Sequence, residues 1–288
     1  MADISAAMVM ELRKMSGQGM MDCKRARQDT DGDVEKAMDC LRKKGLATLA
    51  KRAGRDTSEG LVVCKISTDN KTAALATLCC ETDFVAKSDD FVATAQTLAD
   101  FALACPDDEG VENVLETSAD GRKFSDILTE IVSKTGEKTQ VGDYAKYKLD
   151  GPGLISTYIH FNEKVGTMVQ IDTSNDATAT GDAIKQVASD IAMHITATKP
   201  LALDKDQIDP EMIEREKAIF AEQVKNKPAN IIDKIVEGKI KKFYAENCLL
   251  QQPFVKDDSK SVEQVLAEAA KQAGGEAKIK RFVRFEVG

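Results

Sequence analysis

The side chains that could catalyse a covalent reaction or bind a metal are few in this sequence. The chain has two histidines, His160 and His194, and neither belongs to the spacing of a zinc site. Cys79 and Cys80 are adjacent, but a vicinal pair is geometrically poor for a reversible disulfide and no base flanks it. We therefore predict no enzyme, no catalytic residue and no metal. A thiol or redox enzyme using Cys79 and Cys80 is the alternative interpretation.

The motifs that bind nucleotides and nucleic acids are also missing. The sequence has no G-x-x-x-x-G-K-S/T phosphate loop and no G-x-G-x-x-G, so we expect no direct nucleotide binding and no cofactor. Aromatic residues make up 5%, tryptophan is absent and the formal net charge is −8, which argues against a dominant role in binding phosphates or stacked bases. Basic residues at 42–55 favour a solvated linker, with a ribosome- or tRNA-binding protein as a further alternative.

The remaining chemistry is that of protein binding, and one stretch stands out. Residues 80–87, CETDFVAK, follow a segment with strand periodicity and precede a helical one, so they lie at a strand-to-helix corner. An aromatic residue next to an acid is unusual there, because phenylalanine normally turns inward. One interpretation is that Thr82 or Asp83 caps the helix while Phe84 packs beneath it. The other is that the corner projects these side chains outward from a rigid base.

The first element that positions this corner is a predicted helical module, residues 1–54, of the ubiquitin-associated type. Apolar stripes separated by glycine turns indicate three short helices. Met20 and Met21 follow the first turn, and we expect at least one of them in the core. Residues 29–33 resemble a calcium loop only faintly, and the required glutamate is missing, so calcium is rejected. The stripes are Ile4, Ala7, Met8 and Leu12, then Val34, Ala37, Met38 and Leu41, with Gly45 as the predicted helix cap.

The rest of the chain predicts an α+β fold with an antiparallel core in two parts. The core spans 55–208, with halves at about 55–138 and 139–208, and residues 248–288 return to it. Between them, 209–247 reads as an antiparallel helical hairpin that could pair with a second copy of the chain. The predicted strands are 61–66, 73–78, a meander of 140–149, 154–161 and 165–171, and a closing strand 279–287; the predicted helices are 89–105, 124–134, 182–197 and 262–271.

Composition places the chain among ordinary globular proteins. It has 288 residues, of which 42% are hydrophobic and 31% charged, and no run of about 18 apolar residues that would span a membrane. Residues 1–5 lack the pattern of a secretory signal. The seven cysteines have no C-x-x-C spacing. We therefore predict buried free thiols in a protein of a reducing compartment. We predict a cytoplasmic protein.

Several stretches resemble the motifs of the translation elongation factor Ts family, in family order along the whole chain. Residues 12–24, LRKMSGQGMMDCK, resemble its opening motif, and 80–87 resemble its second signature. Further matches lie at 191–200, 235–244, 248–255 and 284–288. Together these motifs are highly specific, and the chain is identified as a member of that family.

The resemblance implies a guanine-nucleotide exchange factor for elongation factor Tu, the GTPase that delivers aminoacyl-tRNA to the ribosome. The resemblance implies that one segment intrudes beside the magnesium site of the partner and dislodges its ion. The segment consists of Thr82, Asp83, Phe84 and Val85, and Phe84 would insert between two helices of the partner. The resemblance further implies that Arg13, Met20 and Met21 contact the GTPase domain, and that His194 lies in the half of the core that holds the third domain of elongation factor Tu.

Two positions in the strand before the corner depart from the family pattern. Thr77 and Cys79 stand where the family usually has Glu and Asn. After Gly136 and Glu137 the usual paired arginines are missing, and 141–143 occupy the region. The extra helical segment that some relatives carry at the C-terminus is not expected here, because the sequence ends at Gly288.

Overall fold

The N-terminal helices form a three-helix bundle in the computed structural model, which describes residues 4–288 apart from the side chains at 229 and 230. Residues 1–3 of the predicted module, and of the segment compared with a secretory signal, lie outside the described residues. Ser5 and Asp33 cap two of the helices by accepting backbone N–H groups of Met8 and Lys36. The helices are α1 (Ala6–Ser16), α2 (Met20–Asp29) and α3 (Val34–Lys51).

A buried arginine on α2 joins α1 to the turn between α2 and α3. Arg27 is 1% exposed; its Nε donates to the Met8 carbonyl at 3.2 Å, and its guanidinium also bonds to the Gly32 carbonyl and the Glu11 carboxylate. A buried guanidinium is tolerated only when it is hydrogen-bonded, and these three acceptors provide one bond to each of its nitrogens. The small apolar core beneath it consists of Val9, Leu12, Cys23, Ala26, Ala37 and Leu41.

Gly45 does not cap the third helix, and that prediction was wrong. It lies inside α3, which continues to Lys51. A Cβ at Gly45 would lie 2.6 Å from the carbonyl oxygen of Thr129, on a helix of the core. The glycine therefore allows two helix backbones to approach closely, which is a tertiary requirement and not a local one.

Replacing Gly45 by alanine is expected to lower the free energy of unfolding by about 1–3 kcal/mol, because the new methyl group meets a backbone oxygen that cannot turn away. The matched control is Gly238→Ala, also inside a helix, where an added Cβ meets nothing within 4 Å. We expect this control to gain about 0.5–1 kcal/mol from helix propensity. Denaturant titration of both variants checks the pair, and equal signs would contradict the role given to Gly45.

The first part of the core is a three-stranded antiparallel sheet covered by helices. The predicted hairpin at 61–78 is confirmed as paired strands, and the predicted stripe of Phe91, Ala95, Leu98 and Ala102 is fully buried. The elements in chain order are β1 (Glu59–Ile66), β2 (Thr72–Cys80), α4 (Asp83–Ala86), α5 (Asp89–Ala104), α6 (Val111–Glu116), β3 (Ser118–Ala119), β4 (Arg122–Lys123), α7 (Phe124–Thr135) and β5 (Thr139–Lys148).

The second part of the core corrects the predicted meander. The strand β5 pairs with β2 in the order β1-β2-β5, so it belongs to the first sheet and not to a sequential meander with the next two strands. The following elements are β6 (Gly153–Ile159), β7 (Val165–Thr173), α8 (Asp176–Thr180) and α9 (Asp182–Thr198), after which a 3₁₀ turn spans Lys205–Gln207.

The hairpin and the return segment complete the chain. Helices α10 (Pro210–Gln223) and α11 (Ala229–Asn247) form the predicted hairpin, with Ile213 and Ile240 buried near its base. A 3₁₀ turn at Leu249–Gln251 then leads into β8 (Pro253–Phe254), β9 (Asp257–Ser261), α12 (Val262–Gln272) and β10 (Ala277–Glu286). The last strand pairs with β7, giving the second sheet the order β10-β7-β6.

The two sheets pack against each other, and each carries helices on its other face. The cluster between the sheets draws residues from both of them, and Val283, Phe285 and Val287 lie there as predicted for the closing strand. The α+β class predicted from the sequence is confirmed. None of the helices within residues 4–288 combines the length and the apolar composition that spanning a membrane requires. The central members of the cluster are Val62, Leu75, Tyr147, Ile155 and Met168.

Candidate protein-binding interface

The corner at 80–87 is a single helical turn between two caps. The strand β2 ends at Cys80, and the side-chain oxygen of Thr82 accepts the Val85 N–H at 3.4 Å, which starts α4. Ser88 then caps α5 and donates its hydroxyl to the Val85 carbonyl at 2.8 Å. Because hydrogen bonds cap both ends of this turn, they hold its backbone in one conformation.

Phe84 projects from this turn into solvent. Its side chain is 85% exposed, whereas Ala86 is buried and Val85 packs against the core cluster beneath the sheet. Thr82 caps the short helix α4, whereas the helix predicted at 89–105 is capped by Ser88, so the predicted cap was wrong for that helix. The packing of Phe84 beneath the helix was wrong as well. A large ring held in water on a fixed turn is a candidate for binding another protein.

Asp83 lies beside the ring on the same turn. Its carboxylate accepts a hydrogen bond from the ammonium of Lys87 at 2.8 Å, and this bond lowers the pKa of Asp83 below its usual value. The acid is therefore ionised at neutral pH and remains open to solvent. The turn thus presents an apolar ring and a negative charge together.

Two carboxylates behind the corner hold it in place. Glu81 accepts hydrogen bonds from the Lys138 N–H at 2.6 Å and from the Arg52 guanidinium, at 2.8 Å to each oxygen. The backbone donor of Lys138 and then Arg52 lower the pKa of Glu81. Glu137 accepts from both donors of Thr82, the N–H at 3.1 Å and the hydroxyl at 2.8 Å. Sequence reasoning missed both glutamates, and only the Gly-Glu pair ending α7 could have pointed to the second.

The strand before the corner is interlocked with its neighbour at Thr77 and Cys79. The Thr77 hydroxyl oxygen accepts the Asp143 N–H at 2.7 Å. A Cβ at Gly142 would lie 2.6 Å from that oxygen and 3.0 Å from the Cys79 sulfur. Thr77 and Cys79 therefore fill the space left by a glycine on β5.

Neither of the adjacent thiols is an activated nucleophile. Burial, and then the charge of Glu137, raise the pKa of Cys80 to about 12, and burial also raises the pKa of Cys79. The Cys80 thiol donates to the Thr82 carbonyl at 3.2 Å, which is a structural bond at the corner. Reactive cysteines need a lowered pKa, so these observations argue against the redox alternative.

The N-terminal module presents a second exposed surface. Arg13, Met20 and Met21 are all exposed, the two methionines by 41% and 58%. The expectation that at least one methionine fills the core was wrong, because Cys23 and Ala26 supply the buried face of α2.

The two surfaces are attached to the same end of α7. Buried Gln18, in the turn between α1 and α2, donates to the Glu130 carbonyl at 3.4 Å and accepts from the Ser133 hydroxyl at 3.2 Å. Lys134 lies under Gly17 and pairs at 3.2 Å with Asp90, in the first turn of α5. The structure thus brings the turn of the module and the corner to one region. Gln18 gave no signal in the sequence beyond its place between two glycines.

Comparison with known proteins decides the family. The family model described as elongation factor TS matches residues 81–288. Proteins named elongation factor Ts from a Nitratiruptor species and from Clostridium botulinum (strain Eklund 17B / Type B) are 44% and 42% identical to the chain, each over 99% of it and 93% of the relative. The one from Desulfovibrio desulfuricans is 40% identical over 100% of the chain and 99% of its own length.

The chain belongs to the elongation factor Ts family. The resemblance seen in the sequence motifs is thereby confirmed.

His194, the remaining site residue that the resemblance implies, is buried and packs against a different core cluster from the corner. It is 0% exposed on α9; its Nδ1 accepts the Val255 N–H at 3.1 Å, and its Nε2 faces the Gln252 side-chain oxygen at 2.9 Å. Burial lowers the pKa of His194, so the ring is neutral. In this member of the elongation factor Ts family, the imidazole holds the backbone near Val255, which is itself exposed.

The basic stretch at 42–55 is not a free linker. Much of it belongs to α3, and Arg42, Lys44 and Arg52 pair with Asp126, Asp22 and Glu81. Pairing of these cations reduces the positive charge left for a phosphate backbone. The alternative of a ribosome- or tRNA-binding protein is accordingly weaker for this member of the family. No group of three or more metal-ligating side chains is found within residues 4–288.

Proposed function

We propose that the chain accelerates GDP release from elongation factor Tu by inserting the corner at Phe84 beside the magnesium site of that GTPase. Membership of the elongation factor Ts family assigns the chain to the nucleotide exchange factors of translation elongation, with elongation factor Tu as the partner. The single observation that carries the mechanism is a phenylalanine that is 85% exposed on a capped, braced helical turn.

The physical reason for release is electrostatic. A GTPase holds GDP through phosphate contacts from backbone donors, a lysine and Mg²⁺. A ring that displaces the groups supporting the metal weakens this hold without touching the nucleotide. Thr82, Asp83 and Val85 would accompany Phe84 in that contact, while Arg13, Met20 and Met21 would bind the GTPase domain from the N-terminal module. His194 would act indirectly, through the exposed residue Val255 toward the third domain of the partner.

The required energy is within reach of one aromatic contact aided by several others. Acceleration by about a thousandfold needs about 4 kcal/mol of extra stabilisation of the release transition state. A buried aromatic hot spot supplies roughly 2–4 kcal/mol. At equilibrium the coupling between the two sites is reciprocal, so the factor by which the chain weakens GDP binding to elongation factor Tu is also the factor by which GDP weakens binding of the chain.

The direct test is release of a fluorescent GDP analogue from elongation factor Tu after mixing with excess unlabelled nucleotide. We expect a saturating concentration of the wild-type chain to raise the release rate by about a thousandfold. A rate unchanged by saturating chain would refute the proposed function. The chain itself should bind no labelled GDP when elongation factor Tu is left out, since the sequence has no nucleotide-binding loop.

The magnesium step has its own test. If the chain acts by weakening the hold of elongation factor Tu on Mg²⁺, removing the ion with EDTA should by itself speed GDP release and leave less for the chain to accelerate. We therefore expect the fold acceleration by the chain to be smaller in EDTA than in millimolar Mg²⁺. Equal acceleration under both conditions would remove magnesium displacement from the mechanism while leaving nucleotide exchange in place.

Two further expectations belong to this proposal. Exchange on elongation factor Tu would take place in the cytoplasm, where we predict the chain to reside. Pairing of two chains through the helical hairpin stays a prediction; Met212 and Ile231 are exposed apolar residues on α10 and α11. Sedimentation equilibrium of the free chain checks it, and a single monomer mass across concentrations would contradict it.

A further inference from the structure

We propose that Glu137 is a positioning residue for nucleotide exchange: it sets where Phe84 stands relative to the contact surface of the N-terminal module. The inference rests on the proposed function, in which both surfaces bind one partner. Glu137 itself is not proposed to touch elongation factor Tu.

The carboxylate reaches the ring through one residue. Its two oxygens accept the Thr82 N–H and hydroxyl, at 3.1 and 2.8 Å. Thr82 lies beyond Cys80, the last residue of β2, so no strand partner holds it. The Thr82 oxygen in turn accepts the Val85 N–H, which closes the turn that carries Phe84. Fixing Thr82 therefore fixes the start and the direction of α4.

Glu137 is itself fixed to α7. Gly136 ends that helix in the left-handed conformation at φ 71°, with its N–H bonded to the Val132 carbonyl at 2.9 Å. The Glu137 N–H then donates to the Thr135 hydroxyl at 3.3 Å. The carboxylate thus extends from the end of a helix and not from a free loop.

The same end of α7 carries the N-terminal module. Ser133 and the Glu130 carbonyl bond to Gln18, and Lys134 lies under Gly17. Met20 and Met21 follow that turn directly, and Arg13 precedes it by one helical turn. Glu137 therefore connects Phe84 to α7, the same helix that holds the turn of the N-terminal module. Two contacts that must meet one partner at once need a fixed separation.

Loss of Glu137 should misplace the ring without removing it. The Thr82 donors lie near the surface, so water can replace the lost acceptors and the fold should survive. A misplacement of about 1 Å can lower a rate about a hundredfold, because the transition state requires close geometry. We therefore expect Glu137→Ala to lower the maximal GDP-release rate at least tenfold.

The first experiment separates placement from charge. Glu137→Gln retains an oxygen that can accept the Thr82 N–H and an amide that can donate to its hydroxyl oxygen, so we expect it to keep most of the wild-type maximal rate. Glu116→Ala is the matched control, since this exposed carboxylate pairs with Lys123 away from the corner. The concentration of chain that gives half-maximal release should change less than the maximal rate, because the module contacts remain. Equal losses in Glu137→Ala and Glu137→Gln, or wild-type rates in both, would overturn the inference.

A double-mutant cycle tests whether Glu137 acts through Thr82. Thr82→Val removes the hydroxyl that donates to Glu137 and whose oxygen accepts the Val85 N–H. If the two residues form one unit, the double variant should release GDP at nearly the rate of the slower single variant. Losses that multiply, as for independent residues, would contradict action through Thr82.

A final measurement needs no partner. The chain has no tryptophan, so Phe84→Trp places a single indole on the exposed turn. Its fluorescence anisotropy should fall when Glu137→Ala is added and stay the same when Glu137→Gln is added. Unchanged anisotropy in both would overturn the inference even if wild-type exchange is normal. Absence of exchange by the wild-type chain, together with the expected anisotropy change, would refute the proposed function and leave the brace on Phe84 standing.

Discussion

Replacing Phe84 by alanine is expected to lower the GDP-release rate from elongation factor Tu by about 30- to 1000-fold, the equivalent of a 2–4 kcal/mol aromatic hot spot. The ring is 85% exposed in the free chain, so it contributes little to the fold and most of its surface is available to a partner. Stopped-flow release of a fluorescent GDP analogue, over a range of chain concentrations, gives the maximal rate. A variant that matches the wild-type rate would remove Phe84 from the mechanism.

The stability of the same variant provides the internal check. Substitution of an exposed side chain away from any buried network usually changes the free energy of unfolding by less than about 0.5 kcal/mol. Phe84→Ala should therefore unfold at the same denaturant concentration as the wild type. Ile219→Ala, which removes another exposed apolar side chain on the distant hairpin, should leave both exchange and stability unchanged.

Local patterns in the sequence were sufficient for most helices and strands. The stripe that begins at Phe91 and the paired strands at 61–78 follow from periodicity alone, because one face of each element is buried. Residues 80–87 were placed at a strand-to-helix corner for the same reason. The exposure of Phe84 did not follow from spacing, since a ring next to a cap packs inward as readily as it projects.

Long-range contacts explain where the sequence analysis failed. Gly45 resembles a helix cap, but its role depends on Thr129, which is 84 residues away in the sequence. The strand β5 follows α7 directly and was assigned to the wrong sheet, because strand order is set by packing between elements and not by periodicity. The Gly-Glu pair after α7 does not reveal what Glu137 does, because its two carboxylate oxygens accept hydrogen bonds from Thr82, 55 residues earlier.

The network around His194 gives the second large effect, on stability. Its Nδ1 accepts a backbone N–H from Val255, so the proton lies on Nε2 and is donated to the Gln252 oxygen. That oxygen also accepts the Thr198 hydroxyl at 2.9 Å. His194→Ala leaves the Val255 donor unpaired and opens a cavity beside Phe254, and we expect a loss of about 3 kcal/mol in the free energy of unfolding. Denaturant titration at pH 7 measures it, and a loss below about 1 kcal/mol would contradict the buried network.

The sign of the pH dependence follows from the same geometry. Burial lowers the pKa of His194 in the folded chain, whereas in the unfolded chain it is about 6.5. As the pH falls through 6.5, the unfolded state takes up a proton that the folded state does not, so stability decreases until the folded pKa is reached. The slope from this residue is at most about 1.4 kcal/mol per pH unit.

Two variants separate the histidine from its surroundings in this test. His194→Gln removes the titrating group, so the free energy of unfolding should depend less steeply on pH between 5 and 7 than in the wild type. Gln252→Ala removes the acceptor of the Nε2 proton but leaves the imidazole buried against the Val255 N–H. It should be less stable than the wild type and keep the steep slope, because protonating Nδ1 would still set two donors against each other. A slope unchanged in His194→Gln would mean that other groups govern the acid sensitivity of the second sheet and its helices.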